Sequence, residues 1–126
     1  MAFRFYFEAK MFLTLNHQKL DIYTVSKNFV HECYKITQKL PSEERFNLVS
    51  QIRRAALSVH LNISEGCSRK SEVERKRYYE VSRGSLIEID AALDILEKLD
   101  YCKIEELQPL GQLLTRCFGM LSKMMD

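Results

Sequence analysis

The chain has 126 residues, of which 46% are hydrophobic and 29% charged, and its 19 basic and 17 acidic side chains give a formal net charge of +2. This composition excludes a disordered polymer and predicts one soluble globular domain. The near balance of charge also excludes a chain that is basic along its whole length, so any nucleic-acid contact must come from a local patch.

Residues 1–15 form an N-terminal extension that differs from the rest of the sequence. Phe3, Phe5 and Phe7 alternate with Arg4 and Tyr6, a period of two that is typical of a strand. The extension is either an arm that packs on a surface or an unstructured tail. Its charged residues interrupt every apolar run before it could span a bilayer, so no membrane contact is expected.

The first two helices follow from apolar residues at steps of three and four. The first helix is predicted over about residues 18–40, ended by Pro41, with the stripe Ile22, Val25, Phe29, Cys33, Ile36 and Leu40. Ser42 is predicted as the N-cap of a second helix, and Gly66 as its left-handed C-terminal cap. The second stripe comprises Val49, Ile52, Ala56, Val59 and Ile63.

Two more helices complete the domain, residues 16–126. Ser71 and Glu74 form a predicted capping box, and the third stripe runs to about Leu99 through Val73, Tyr79, Ser82, Leu86, Ile89, Leu93 and Leu96. The fourth comprises Leu107, Leu110, Leu114, Cys117, Leu121 and Met124, with Pro109 expected in the first turn. Short connections between four helices predict an all-α, antiparallel up-and-down four-helix bundle.

The second helix also carries a polar line beside its core stripe, formed by Gln51, Arg54, Ser58, Asn62 and Glu65. Leu57 and Leu61 lie beyond that line, where the core of one bundle does not cover them. This arrangement predicts a second contact surface, most simply a subunit interface. A polar network among Arg54, Asn62 and Glu65 would hold helices or subunits together.

Gly84 lies in the middle of the third helix, where glycine costs about 1 kcal/mol relative to alanine. The small residues Ser82 and Ser85 flank it. A close crossing of two helices at this point would offset the cost.

A basic cluster is the main indication of function. Its members are Arg69, Lys70, Arg75, Lys76 and Arg77, set against Glu72 and Glu74 for a local balance of +3, with Tyr78 following directly. Such side chains contact phosphates, and an exposed tyrosine stacks on unpaired bases. The alternative is a solvated helix face, because Glu72 and Lys76 have the spacing of an i,i+4 ion pair.

No residue set predicts catalysis, a metal or a cofactor. His60 points away from Ser58 and Glu65 on a helix, so these residues do not assemble an acid–base or nucleophilic site. Cys33, Cys67, Cys102 and Cys117 lack metal-ligand spacing and indicate free thiols of a reducing cytoplasm. We expect neither an enzyme nor a small-molecule substrate.

Two runs, LPSEERFNLVSQIRRAALSVHLNISEG at residues 40–66 and SRKSEVERKRYYEVSRGSLIEID at 68–90, resemble the four-helix bundle family of 23S rRNA intervening-sequence proteins. The resemblance spans roughly residues 16–125. The matching positions are Pro41, Glu44, Phe46, Leu48, Gln51, Arg53, Arg54, Ala55, Ser58, Asn62, Ile63, Glu65, Gly66, Gly84, Ser85 and Glu88.

The resemblance implies a homo-oligomeric bundle, with a ring-like pentamer as the expected assembly and no established enzymatic activity. Some members of the family are encoded within intervening sequences of large-subunit rRNA genes. A related bundle binds RNA and the reverse transcriptase of diversity-generating retroelements. Together with the polar line, the resemblance predicts structural or interface roles for Gln51, Arg53, Arg54, Leu57, Ser58, Leu61, Asn62, Glu65, Gly66 and Gly84.

Two functions remain open from the sequence. The first is a non-enzymatic oligomeric scaffold that binds RNA, or an RNA–protein complex, through the basic surface at the start of the third helix. The second is a purely protein-binding or structural oligomer without a nucleic-acid role.

Overall fold

A computed structural model describes Phe12, Leu13, Leu15 and residues 20–126 of the chain. It contains four α-helices: α1 (Asp21–Thr37), α2 (Ser50–Ser68), α3 (Glu72–Lys98) and α4 (Ile104–Met124). No strand occurs in this described part, which confirms the all-α prediction. The strand-like alternation predicted for residues 3–7 lies outside the described residues.

The helices pack as an antiparallel bundle in which each helix contacts the next and α1 closes against α4. Side-chain bonds give the directions. Between α1 and α2, the Ser26 hydroxyl lies 2.7 Å from His60 Nδ1, and Arg53 Nε donates to Thr37 Oγ1 at 2.8 Å. Since the partners run in opposite order along the two helices, α1 and α2 are antiparallel.

The predicted apolar stripes form one core. All six residues of the first stripe are buried, as are most members of the other three. Val49 and Met124 are half-buried. Val73 is the exception, with 70% of its surface exposed in the first turn of α3, so its assignment to the core was wrong. Helices therefore form where an apolar face can be buried, as expected for amphipathic segments.

The start of α2 differs from the prediction. Ser42 does not cap a continuous helix, because residues Ser42–Glu44 form a 3₁₀ turn and Arg45–Val49 a π-helical turn before α2 begins at Ser50. The hydroxyl of Tyr101 donates to Glu44 at 2.8 Å. This bond fixes the 3₁₀ turn to the loop that connects α3 with α4.

Gly66 is not a left-handed cap: it lies inside α2, and no glycine of the described segments has a positive φ. A Cβ atom at this position would lie 2.6 Å from Cε1 of Tyr79. Glycine is therefore required for the close approach of α3 to α2.

Gly84 shows the opposite situation. It is exposed, and none of the described residues lies within 4 Å of the position that its Cβ would take, so the predicted tight crossing does not occur among them. The close contact involves Ser82 instead, whose buried hydroxyl donates to the carbonyl of Val59 at 2.8 Å.

Local backbone geometry determines where α3 ends and how α4 begins. Asp100 has a φ of 60°, and the N–H groups of Asp100 and Tyr101 donate to the carbonyls of Glu97 and Leu96. This is a Schellman arrangement with an aspartate in the left-handed position. Pro109 lies in the second turn of α4, not the first as predicted. Because proline has no backbone N–H, the helical hydrogen bond from position 109 to the carbonyl of Glu105 is absent. Glu105 is exposed, so solvent can bond to this carbonyl instead.

Candidate nucleic-acid interface

The sequence-predicted basic cluster lies where α2 ends and α3 begins, and residues 69–77 are called the basic corner below. Ser71 precedes α3, and its hydroxyl accepts the N–H of Glu74 at 3.3 Å. This is one of the two bonds of the predicted capping box. The chain therefore turns within three residues, and all five basic side chains come from this turn or the first turns of α3.

Arg69 is committed to bonds within the corner. Its guanidinium donates to the carboxylate of Glu65 and to the hydroxyl of Tyr78, both at 2.9 Å, and lies 5.0 Å from the centre of the Tyr78 ring. Tyr78 and Glu65 raise the pKa of Arg69, so this side chain remains cationic. Tyr78 is half-buried with a guanidinium over its ring, so it is not the freely exposed stacking platform that the sequence predicted.

Arg75 has a structural position as well. Its Nη1 donates to the carbonyl of Lys70 at 2.7 Å and to the carbonyl of Arg69 at 3.0 Å. These two carbonyls directly follow α2, where a cation is favourable because of the helix dipole. Arg75 therefore holds the corner together, and its contact with a nucleic acid stays a prediction.

The remaining three basic residues do not hold the corner together, and two of them are exposed while Lys76 is half-buried. Lys76 lies 3.8 Å from the carboxylate of Glu72 in an exposed i,i+4 pair, an arrangement that contributes little free energy. The side chains of Lys70 and Arg77 are exposed and make no ion pair or hydrogen bond with the residues that the structure describes. The predicted cluster is thus divided into two structural arginines and three available cations.

Ser58, Asn62 and Glu65 of the polar line of α2 form two separate sets of bonds. Asn62 donates to the carbonyl and hydroxyl of Ser58, whose hydroxyl also accepts a bond from Ser85 of α3 at 3.0 Å. Glu65 instead pairs with Arg69. Arg54, Asn62 and Glu65 therefore do not form the predicted network with one another in the part of the chain that the structure describes.

Three further predicted residues have distinct surroundings. Gln51 donates to the carboxylate of Glu88 on α3. Arg53 faces α1, with its guanidinium 4.5 Å from the centre of the Tyr34 ring. Arg54 is exposed, with no ion pair or hydrogen bond to the described residues. Gln51 and Arg53 thus fix neighbouring helices, whereas Arg54 is available to a partner.

Leu57 and Leu61 lie on the outer surface of α2, with 38% and 55% of their surface exposed. Val81 of α3 is 49% exposed. The bond between Ser58 and Ser85 holds the two helices side by side. The subunit interface predicted from the two leucines stays a prediction.

A groove between α3 and α4 was missed by the sequence analysis. It has a volume of about 760 Å³, and Asp90, Asp94 and Glu97 line its α3 side. The signal was present in the sequence, because positions i, i+4 and i+7 share one face of a helix. A stripe of carboxylates is usually a solvated face, so the pattern alone does not indicate a groove.

His60 and the cysteines do not form a reactive site in the described part of the chain. The ring of His60 packs 4.7 Å from that of Tyr23 on α1, away from the Ser58 side of α2. Burial raises the pKa of the Cys33 and Cys117 thiols to about 12, so both are neutral. Within the described ranges, no three His, Cys, Asp or Glu residues lie close enough to hold a metal ion.

Burial also raises the pKa of Tyr79, whose hydroxyl lies 3.3 Å from the sulfur of Cys67. This tyrosine is therefore a neutral member of the core. None of the helices described combines the length and apolarity needed to cross a membrane.

The fold is a small four-helix bundle that is similar to a bacterial crystal structure. That protein, from Bacteroides thetaiotaomicron VPI-5482, is a protein of unknown function from the S23 ribosomal protein family. The two structures superpose with a TM-score of 0.77 over 83% of this chain and 98% of the other, at 19% sequence identity. This similarity establishes the fold alone.

The chain belongs to the family of 23S rRNA-intervening sequence proteins, whose family model matches residues 18–123. The resemblance found in the helix-two and helix-three motifs is therefore confirmed. No curated protein matches the chain.

Proposed function

We propose that this chain is a non-enzymatic, homo-oligomeric scaffold that binds RNA, or an RNA–protein complex, through the basic corner. The observation that carries the proposal is a set of three available cations, the exposed Lys70 and Arg77 and the half-buried Lys76, with one weak ion pair among them. Phosphates can neutralise these charges at the expense of only the weak Lys76–Glu72 ion pair, and the release of counterions favours binding.

Membership of a family named for 23S rRNA intervening sequences supports RNA as the nucleic acid. Three cations give only a weak site on one chain. In a homo-oligomer, for which a pentameric ring is the expected assembly, the corner would recur in every subunit, so one RNA could contact several copies and gain avidity. We propose a reverse transcriptase-like protein as the second partner of the same surface.

The thiols support a proposal for the compartment. Four free cysteines, three of them buried, support a reducing cytoplasm as the place where the scaffold acts.

The test should change the available cations and leave the structural arginines intact. The variant is Lys70→Glu with Lys76→Glu; Arg77 is kept because it borders the exposed apolar surface of α2 and α3. The matched control is Lys98→Glu with Lys103→Glu, two exposed lysines at the opposite end of the bundle. Both variants change the formal charge by the same amount.

Binding would be measured by fluorescence anisotropy with a structured and a single-stranded RNA at low and moderate salt. We expect the corner variant to lose about tenfold or more in affinity and to depend less steeply on salt, because fewer counterions are released. The control should bind like wild type. An equal loss of RNA affinity in both variants would mean that RNA is attracted by the general charge of the protein and not by the basic corner. Unchanged affinity in the corner variant would refute this binding surface.

The alternative function is a protein-binding or structural oligomer with no nucleic-acid role. The exposed Leu57, Leu61 and Val81 favour it, because apolar side chains grouped on one face are typical of a protein interface. A wild-type oligomer that binds neither the structured nor the single-stranded RNA at low salt would support this alternative over the first proposal.

A further inference from the structure

Two surfaces on either side of α3 differ in shape and charge. The first is the groove between α3 and α4, whose floor includes the buried Leu93 and Leu107. Its edges carry the carboxylates of Asp90, Asp94 and Glu97 against the one guanidinium of Arg116, a balance of −2 among these four lining residues. Ile104, 56% exposed, adds an apolar side chain at one end.

The second surface, which we call the ridge, consists of Arg54, Leu57 and Leu61 of α2 with Arg77 and Val81 of α3. The leucines and the valine are each more than a third exposed, and both arginines lack ion pairs with the described residues. Glu88 borders the ridge and accepts a hydrogen bond from Gln51. Two arginines and this glutamate give a balance of +1. In the oligomer Arg77 would belong to the ridge, so Lys70 and Lys76 would be the cations of the basic corner that remain for RNA.

The ridge and the groove are complementary in apolar surface and in charge. An apolar centre on the ridge matches the leucine floor of the groove, and its positive edge matches the acidic walls. We propose that the ridge of one copy of this chain docks in the groove of the next copy. The inference rests on the proposed homo-oligomer and names the surfaces that form it.

A contact between two different surfaces is head-to-tail, so each copy uses its groove for one neighbour and its ridge for another. Val81 and Asp94 are 13 positions apart on α3, which at about 100° per residue places them roughly 140° apart around the helix axis. Successive copies therefore turn relative to one another. Such contacts generate a ring when the rotation closes.

The experiment uses one variant for each surface. Gln108→Arg with Gln112→Arg places two cations in the groove, at exposed positions of α4. Leu57→Asp with Leu61→Asp removes the apolar centre of the ridge. Thr24→Arg with Asn28→Arg is the control, since it adds the same charge at the same i,i+4 spacing on the exposed side of α1.

The readout is molar mass from light scattering after size exclusion, with circular dichroism to establish folding. We expect wild type and the control to form the same oligomer, and the groove and ridge variants to be folded monomers. An equimolar mixture of the two monomeric variants should give a 1:1 dimer that grows no further, because one intact groove meets one intact ridge.

The remaining outcomes distinguish failure of the docking proposal from failure of the homo-oligomer. A wild-type oligomer whose mass is kept in the groove or ridge variant would overturn the docking proposal and leave the homo-oligomer in place. Two monomeric variants that do not pair when mixed would also overturn it, since a head-to-tail contact requires them to pair. A monomeric wild type at micromolar concentration would refute the homo-oligomer itself.

Discussion

Replacement of Gly66 by alanine tests the close contact between α2 and α3. The added methyl group would lie 2.6 Å from Cε1 of Tyr79, which is 0.8 Å less than the 3.4 Å at which ordinary contacts begin (3.4 − 2.6). The ring of Tyr79 is 4% exposed and its hydroxyl is bonded to Cys67. The ring therefore has no open space into which it can move, and the two helices must separate.

Two effects of opposite sign set the size of the change. Alanine is favoured over glycine inside a helix by about 1 kcal/mol, whereas overpacking of a core costs about 1–3 kcal/mol. We expect the Gly66→Ala variant to lose about 1 kcal/mol of unfolding free energy. In Gly119→Ala, the matched control within α4, nothing lies within 4 Å of the new Cβ, so the helix preference alone should stabilise it by up to about 1 kcal/mol.

Urea denaturation followed by far-ultraviolet circular dichroism, at one fixed chain concentration, measures both variants. The difference between them isolates the overlap with Tyr79, because both replacements add the same methyl group to a helix interior. Equal stabilisation of the two variants would refute the proposed steric role of Gly66.

Two further predictions concern the connection between α3 and α4. Asp100→Gly should raise the unfolding free energy by about 0.5–1 kcal/mol, since glycine adopts the left-handed conformation without strain; a lower melting temperature would contradict this. The pKa of Glu106 is lowered, mainly by the N–H of Lys103 and then by Lys39, so its stabilising effect is present above its unfolded pKa and is lost as pH falls through the folded pKa. Glu106→Gln should therefore weaken the acid-side loss of stability seen in thermal melts from pH 7 to pH 3, and an unchanged pH profile would argue against that role.

The helices were predictable because their evidence is repeated many times along the chain. An apolar residue at every third or fourth position leaves one face that must be buried, so the core from Ile22 to Leu121 could be read without a structure. Helix ends depend on single residues instead. Asp100 takes a conformation usually associated with glycine, while Gly66 has an ordinary helical one.

The candidate site was predictable in position but not in composition. Charge alone placed five basic residues at the corner. Which of them are available depends on bonds across the turn, such as those from Arg75 to the carbonyls of Arg69 and Lys70. The spacing of Arg75 from its acceptors follows from the path of the chain after Ser68, which the sequence pattern does not define.

The pairing of α2 with α3 also has a consequence for the order in which the chain folds. These helices are consecutive, joined by three residues, and linked by small side chains such as Ser82 and Ser85. Contacts between neighbours in sequence require little loop closure, whereas those between α1 and α4 bring distant parts of the chain together. We therefore expect the helical hairpin of α2 and α3 to be formed in the folding transition state, with the outer helices docking onto it afterwards.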